Sequence, residues 1–319
     1  MGFRRLSRKK EVDPPLADVT TGSGFRINAP AKINLYLHLI GRREDGYHLL
    51  DSLIAFAAIH DVVTVRPGDG LTLAVDGPFA PAMPDEGDNL VLRAARALQT
   101  KRGLDKGAAI TLTKNLPVAA GIGGGSADAA AALLGLNALW ELGATERELA
   151  GLGLGLGADV PACLRGEPLY AAGIGEEIEP APALPSMGLV LVNPNRPVST
   201  AAVFSEFNGR FTDAEDAGRF DSGFDDAAAF AAGLAERRND LMAPACRIEP
   251  EIDAVLDALG NAHGCLLSRL SGSGPTCFGL FESGEDASGA ADDISAIHPE
   301  WWVRPTRFLA RAETPVKTS

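Results

Sequence analysis

The sequence is poor in the residues from which several kinds of site are built. It has only four cysteines, Cys163, Cys246, Cys265 and Cys277, and no two of them form a CxxC pair. That spacing excludes the common zinc and dithiol motifs and predicts four reduced, packed thiols. Aromatic residues make up 6% of the chain, so the apolar share of 46% is carried by Ala, Leu and Val. No apolar run approaches the roughly 20 residues of a membrane span. Positive charge is in deficit as well: 29 Lys and Arg against 42 Asp and Glu leave a net charge of −13. A polyanion is bound by cations that displace its counterions, so this balance argues against a nucleic-acid surface. These absences predict a cytoplasmic protein with neither nucleic acid nor membrane as a partner; they leave the oligomeric state open.

What is present is enough chain, 319 residues, for two domains. Residues 1–24 begin with Arg4, Arg5, Arg8, Lys9 and Lys10 but lack the apolar run of a secretory signal. Rich thereafter in Pro, Asp, Thr and Gly, they read as a mobile extension. Order is expected from Phe25. Ile33, Leu35, Leu37 and Leu39 alternate with Asn34, Tyr36 and His38, the period of a strand. Further strands are predicted over 52–58 and 62–66, separated by a turn at His60-Asp61, and over 71–75 and 109–113. A helix over 89–101 would be capped by Asp88, and another over 127–142 would be stopped by Gly143. Thr145 and Glu148 have capping-box spacing. The proline-rich stretch 180–187 divides a domain over 25–183 from one over 184–312, with a tail over 313–319. A strand over 189–192, a helix over 251–259 and a strand over 276–281 fall in the second domain, and 208–233 reads as an irregular connection or a poorly packed helix. Strands and helices mix without a regular βαβ rhythm, which predicts an α+β architecture in two lobes.

The most informative stretch is the run from Leu116 to Ala130, in which Gly121, Gly123, Gly124, Gly125 and Ser126 lie between a strand and an Ala/Leu helix. Backbone without side chains at a helix N-terminus offers unpaired N–H groups and the positive end of the macrodipole, the specification of a phosphate site. A tight turn needs one such glycine; several cost conformational entropy that a turn alone does not require. The run is not a Walker loop, because Ser126-Ala127 stands where Lys and Ser/Thr are needed, and it lacks the third glycine of a dinucleotide fingerprint. Gly151, Gly153, Gly155 and Gly157 alternate with leucines and follow no strand, so they read as a packed helix end.

Pro117 and the glycines that follow resemble the PxxxGLGSSAA motif of the GHMP kinases, the superfamily of galactokinase, homoserine kinase, mevalonate kinase and phosphomevalonate kinase. Ser271-Gly272-Ser273-Gly274-Pro275 resembles the second glycine motif of that superfamily. Three further segments are similar to the branch that acts on a cytidine diphosphate-linked methylerythritol in the non-mevalonate isoprenoid route: Pro30-Ala31-Lys32-Ile33-Asn34-Leu35, Asp45-Gly46-Tyr47-His48 and Gly157-Ala158-Asp159-Val160-Pro161. The resemblance implies a two-lobed GHMP fold with the active site between the lobes, and transfer of a phosphoryl group from ATP, with Mg2+, to a hydroxyl of that small molecule. It implies Asp159 as the base and Lys32 as its cationic partner, since a carboxylate can take the hydroxyl proton and a lysine can favour the alkoxide. It assigns ATP to Pro117, Val118, Ala119, Ala120, Gly121, Ile122, Gly123, Gly124, Gly125, Ser126 and Ala127, together with Lys114 and Asn89, and the cytidine compound to Asn34, Tyr47 and His48. Asn89 serves equally as a helix cap, and Asp159 as a helix-start residue. No carboxylate cluster marks a metal site, which suits an ion held by phosphates and water. Ala127 replaces the second serine of many superfamily loops, leaving Ser126 as its hydroxyl. Another GHMP kinase, or a relative that binds nucleotide without catalysis, is the alternative.

Overall fold

The computed structural model describes residues 23–83, 89–213 and 218–318. The chain opens with two long antiparallel strands, β1 (Gly24–Arg42) and β2 (His48–Gly68), then β3 (Leu71–Asp76), helix α1 (Leu90–Arg102) and β4 (Gly107–Thr113). Helices α2 (Gly124–Leu139), α3 (Glu146–Leu154) and α4 (Val160–Arg165) follow, and β5 (Leu169–Gly173) and β6 (Glu177–Pro180) complete the first half. The second half runs β7 (Gly188–Asn193), α5 (Thr200–Glu206), α6 (Ala227–Ala235), α7 (Met242–Ile248), α8 (Glu251–Gly260), β8 (Cys265–Leu270), β9 (Cys277–Phe281), α9 (Gly284–Ile297), β10 (Trp302–Thr306) and β11 (Val316–Thr318). Helix and strand are interspersed in an α+β fold.

The strands form two sheets. The first has the order β11-β1-β2-β4-β3, with β5 joined to β2 and β6 to β5; the second has the order β10-β7-β9-β8. Helices α1 and α2 lay Val91, Ala94, Leu98, Ala129, Leu133 and Leu136 on one face of the first sheet, around Ile27, Val63, Val65 and Ile110. A second cluster joins the two sheets, Ile33, Leu35 and Leu53 meeting Leu189, Leu191, Phe278 and Leu280. Both faces of β1 are therefore buried at its centre, so Asn34, Tyr36 and His38, which alternate with its apolar residues, are interior as well.

Several expectations are corrected. There is no turn at His60-Asp61: β2 runs unbroken through it, because the carboxylate of Asp61 is wholly buried and accepts the backbone N–H of Asn115 at 2.6 Å and of Leu116 at 2.8 Å. An aspartate that suggests a break locally is here the anchor of a remote loop. Helix α2 starts inside the glycine run, at Gly124, and ends at Leu139 before Gly143, with Trp140 as its C-cap and Glu141 at φ 56°. Asp88 lies outside the described residues, and the cap of α1 is Asn89, whose side chain accepts from Val91 N. The stretch 208–233 ends in α6, a packed helix in which Phe230 and Leu234 are fully buried; each such burial contributes about 1.5–3 kcal/mol. Within the tail expected over 313–319, Val316–Thr318 pairs antiparallel with Gly24–Arg26 and forms the edge strand of the first sheet beside β1. The proposed N-terminal extension lies, up to residue 22, outside the described residues. The capping box at Thr145 and Glu148 is formed as its spacing predicts, and the glycines from 151 lie in α3 and its exit.

Candidate active site

The glycine run owes its shape to contacts on both sides. Gly121 adopts φ +72°, and a Cβ there would lie 2.6 Å from the N and O of Gly274 and the O of Ser271. No other residue lets the two glycine turns approach so closely. The contact is tied by Ser271 Oγ, which donates to the Gly121 carbonyl at 3.1 Å, and by Thr276 N, which donates to Ala120 O at 3.1 Å. Ala119 is held at φ 51°, a left-handed conformation that costs an alanine about 1–2 kcal/mol. Gly123 then occupies the N-cap of α2 at φ 63° with no side-chain cap. The first N–H groups of α2 consequently lack intrahelical acceptors and are free for an anion.

On the other side of this terminus stands Lys32. Its backbone N–H donates to Ile122 O at 2.9 Å, and its Nζ donates to Asp159 Oδ2 at 2.9 Å and to Asn34 Oδ1 at 3.0 Å. Lys32 and Asn34 share a face of β1 through the strand period. Asn34 is fixed in turn, donating from Nδ2 to Ser52 Oγ at 2.8 Å while its backbone N–H donates to Ser271 Oγ at 3.2 Å. Lys32 is 5% exposed, whereas the Asp159 side chain is 38% exposed. Asp159 stands at the N-cap position of α4 but makes no side-chain cap bond. Its carboxylate is directed to Lys32 instead, and Oδ1 has no hydrogen bond to the described residues. The helix-start reading therefore accounts for its place in the chain and not for its side chain.

These groups face a cavity of about 600 Å3, walled by both halves of the molecule: Lys32 and Asp159, Gly121 and the run Gly123 to Ser126, Thr200 and Phe204 of α5, and Gly272 and Ser273 of the second turn. Pro117, Val118, Ala119 and Ala120 also line it, as do Asn34, Asn89 and Lys114. Ile122 and Ala127 do not; their side chains are packed in the core. Asn89 both lines the cavity and caps α1. Tyr47 is 62% exposed, and neither it nor His48 forms part of the cavity wall. His48 does face the wall from behind, its ring 5.4 Å from Phe204 and 5.9 Å from Phe207. Burial, and then the Arg42 cation, lower its pKa, so the imidazole is neutral at pH 7.

Three residues of the site escaped the sequence reading. Phe204 lies in a helix whose spacing carries no unusual signal, and only the second sheet brings it to His48. Asp61 and Asp128 enclose Lys114: Nζ donates to Asp128 Oδ2 at 2.8 Å and also to Asp61 Oδ2. Burial alone would lower the lysine's pKa, but the Asp128 and Asp61 carboxylates together raise it. The one available signal was Asp128 itself, a carboxylate inside an alanine run. Among the described residues, no group of three or more His, Cys, Asp or Glu could hold a metal ion. The carboxylates around the loop, Asp61, Asp128 and Asp159, are already paired with lysines, so this donor set does not fit a cation caged by protein alone.

This chain matches the GHMP kinases N terminal domain over residues 89–167 and the GHMP kinases C terminal domain over residues 225–299. It is 51% identical over 288 residues to a 4-diphosphocytidyl-2-C-methyl-D-erythritol kinase of Paramagnetospirillum magneticum, covering 90% of this chain and 100% of that one. A protein of the same name from Rhodospirillum rubrum is 47% identical, with 88% and 91% covered. Among solved structures, a 4-(cytidine 5'-diphospho)-2C-methyl-D-erythritol kinase superposes with a TM-score of 0.72 at 33% identity, over 89% of this chain and 98% of that one. A mevalonate kinase superposes with a TM-score of 0.66 at 11% identity over 90% and 99%, which shows the fold alone.

Proposed function

Since the chain belongs to the GHMP kinases, and within them to the 4-diphosphocytidyl-2-C-methyl-D-erythritol kinases, we propose that it transfers the γ-phosphoryl group of ATP to the 2-hydroxyl of 4-diphosphocytidyl-2-C-methyl-D-erythritol. The observation that carries the chemistry is the Lys32–Asp159 pair at the N-terminus of α2. Phosphoryl transfer asks the protein chiefly for positioning and charge stabilisation. The free N–H groups of α2 and its dipole receive the phosphates. Asp159 Oδ1, without a hydrogen-bond partner among the described residues, takes the proton of the attacking hydroxyl, while the Lys32 ammonium stabilises the oxygen as its charge develops. Asn34 keeps Nζ from swinging away, since it accepts from the same ammonium at 3.0 Å.

The cytidine end is assigned to the side of the cavity formed by Phe204, whose ring lies 5.4 Å from that of His48 at a tilt of 34°, with the neutral imidazole at the edge of the wall for hydrogen bonding. Tyr47, exposed and next to His48 in the chain, is assigned the covering of the base from the solvent side. Mg2+ would arrive with the nucleotide and neutralise its phosphates, and no protein group is assigned to it. Four unpaired cysteines suit a reducing, cytoplasmic setting, and no helix among the described residues is long and apolar enough to cross a membrane. A nucleotide binder without catalysis would not need Lys32 and Asp159 brought together across the fold. The test is a substrate panel: ADP should form with the cytidine-linked compound, and equal turnover of mevalonate or homoserine would overturn the assignment.

A further inference from the structure

The carboxyl group of Asp128 has no part in the chemistry above, yet it lies beneath the glycine loop, in the second turn of α2, 2% exposed and adjoining the cavity. Its Oδ2 accepts from Lys114 Nζ at 2.8 Å; its Oδ1 is buried with no hydrogen-bond partner among the described residues. Asp61, on the same ammonium, is different. Its Oδ1 accepts two backbone N–H groups, from Asn115 and Leu116, and its Oδ2 accepts from Lys114, so donors reach both of its oxygens. Of the two carboxyl groups, Asp128 is therefore the one whose negative charge is poorly compensated.

The position of the cluster gives this imbalance a consequence. A Cβ on Gly124 would stand 3.2 Å from Lys114 Nζ and 3.7 Å from Asp61 Oδ2. The two carboxyl groups and one ammonium thus lie directly behind the first residue of α2, whose N–H groups face the phosphates. With both carboxyl groups ionised, the cluster carries one net negative charge at a site built for anions, in surroundings too dry to screen it.

Resting on the ATP-binding reading above, we propose that Asp128 is the proton acceptor coupled to nucleotide binding: as the polyphosphate enters the loop, Oδ1 takes a proton from solvent, leaving an Asp61–Lys114 pair without net charge behind the helix terminus. Burial, opposed by Lys114 and assisted by Asp61, already raises the free carboxyl of Asp128 to about 7, and a bound polyanion raises it further. The other groups around α2 do not supply this proton. Cys163 of α4 is a thiol held neutral by burial, and Lys32 of β1 is committed to Asp159. Val91, Ala94 and Leu98 of α1 and Leu149 of α3, which pack in the core around α2, are apolar.

The experiment is calorimetric titration of ATP into the full chain at pH 7.5, in buffers of differing protonation enthalpy, for the wild type and Asp128→Asn. Asparagine keeps an acceptor for Lys114 and cannot titrate, and the nucleotide's own proton exchange is common to both proteins. The wild type should take up as much as one proton more per ATP than the variant. The ratio of wild-type to variant Kd should rise above pH 7, by no more than tenfold per pH unit. A purely structural role would shift affinity without moving the proton count. Equal counts for the two proteins overturn the inference while leaving ATP binding intact; no ATP binding by the wild type overturns the functional reading itself. Should Asp128→Asn fail to fold, the wild-type count decides, and no uptake at pH 7.5 beyond the nucleotide's own overturns the inference.

Discussion

Lys32 donates to Asp159 at 2.9 Å across 127 residues of sequence. One residue lies in β1, where its backbone N–H donates to Ile122 of the glycine loop; the other precedes a six-residue helix with a proline in its first turn. Neither element has a reason of its own to carry a charge into the interior. The pair is asymmetric, a buried ammonium against a carboxylate that keeps one oxygen open to the cavity. A pair serving stability alone would gain little from this arrangement, because ion pairs with a solvated member contribute only about 0–1 kcal/mol.

That asymmetry sets the first prediction. Asp159→Asn should lower kcat by about 10²–10⁴, the usual contribution of a positioned base, while the ATP dissociation constant stays within a few-fold, because the α2 terminus is untouched. Steady-state kinetics and a nucleotide titration on the same preparation test this. A variant with near-wild-type kcat would remove Asp159 from the chemistry.

Gly123 offers a test of how tightly the loop and the lysine are fitted. It sits at φ +63°, and a Cβ would lie 2.9 Å from Lys32 Cβ. Gly123→Ala should cost about 1–2 kcal/mol from backbone conformation alone, seen as a lower urea midpoint with an unchanged slope. It should also reduce kcat, since the new methyl group pushes on Lys32. Loss of stability without loss of turnover would show that the lysine's position is not critical.

Much of this site is legible in the sequence, and the parts that are not share a physical cause. The glycine run announces itself because several glycines in succession have no structural economy, and the alternation of Ile33, Leu35 and Leu37 marks β1 locally. Asp61 misled, since a polar residue in an apolar run reads as a turn until its partners are known; those partners, Lys114 and the N–H groups of Asn115 and Leu116, lie more than 50 residues away. The strand at Val316 was read as a tail because three residues carry no periodicity, and only their pairing with β1 defines them. Phe204 acquires meaning from His48, which no local pattern connects to it. Local signals suffice where the local energy decides, as in the capping box at Thr145 and Glu148, whereas roles that depend on remote partners are hidden from them.

The four thiols yield a prediction about reactivity. Burial is the largest cause in each case and raises the pKa of Cys163, Cys246, Cys265 and Cys277, with Cys246 reaching about 12. The thiolate is the nucleophile, so at pH 7–8 the native protein should react with a thiol reagent far more slowly than the same protein in denaturant, where all four should be modified. Rapid modification of any one in the folded state would contradict the burial described for it.

The last prediction concerns the aromatic surface assigned to cytidine. Phe204 lines the cavity with His48 at 5.4 Å behind it. Phe204→Ala removes the ring but touches neither the glycine loop nor Lys32, so KM for the cytidine-linked substrate should rise about tenfold, the equivalent of roughly 1.4 kcal/mol of lost stacking, with KM for ATP unchanged. The pH dependence follows from His48. Its pKa is lowered, by burial first and then by Arg42, so the ring is neutral from pH 7 upward and gains its proton only below the ordinary histidine range. Substrate affinity should then be flat above pH 7 as far as this group is concerned, and should fall only in acid, where the imidazolium loses its acceptor nitrogen. His48→Gln should weaken binding and abolish that acid limb while sparing the ATP constant. If the acid limb survives in His48→Gln, the neutral imidazole is not the group that reads the base.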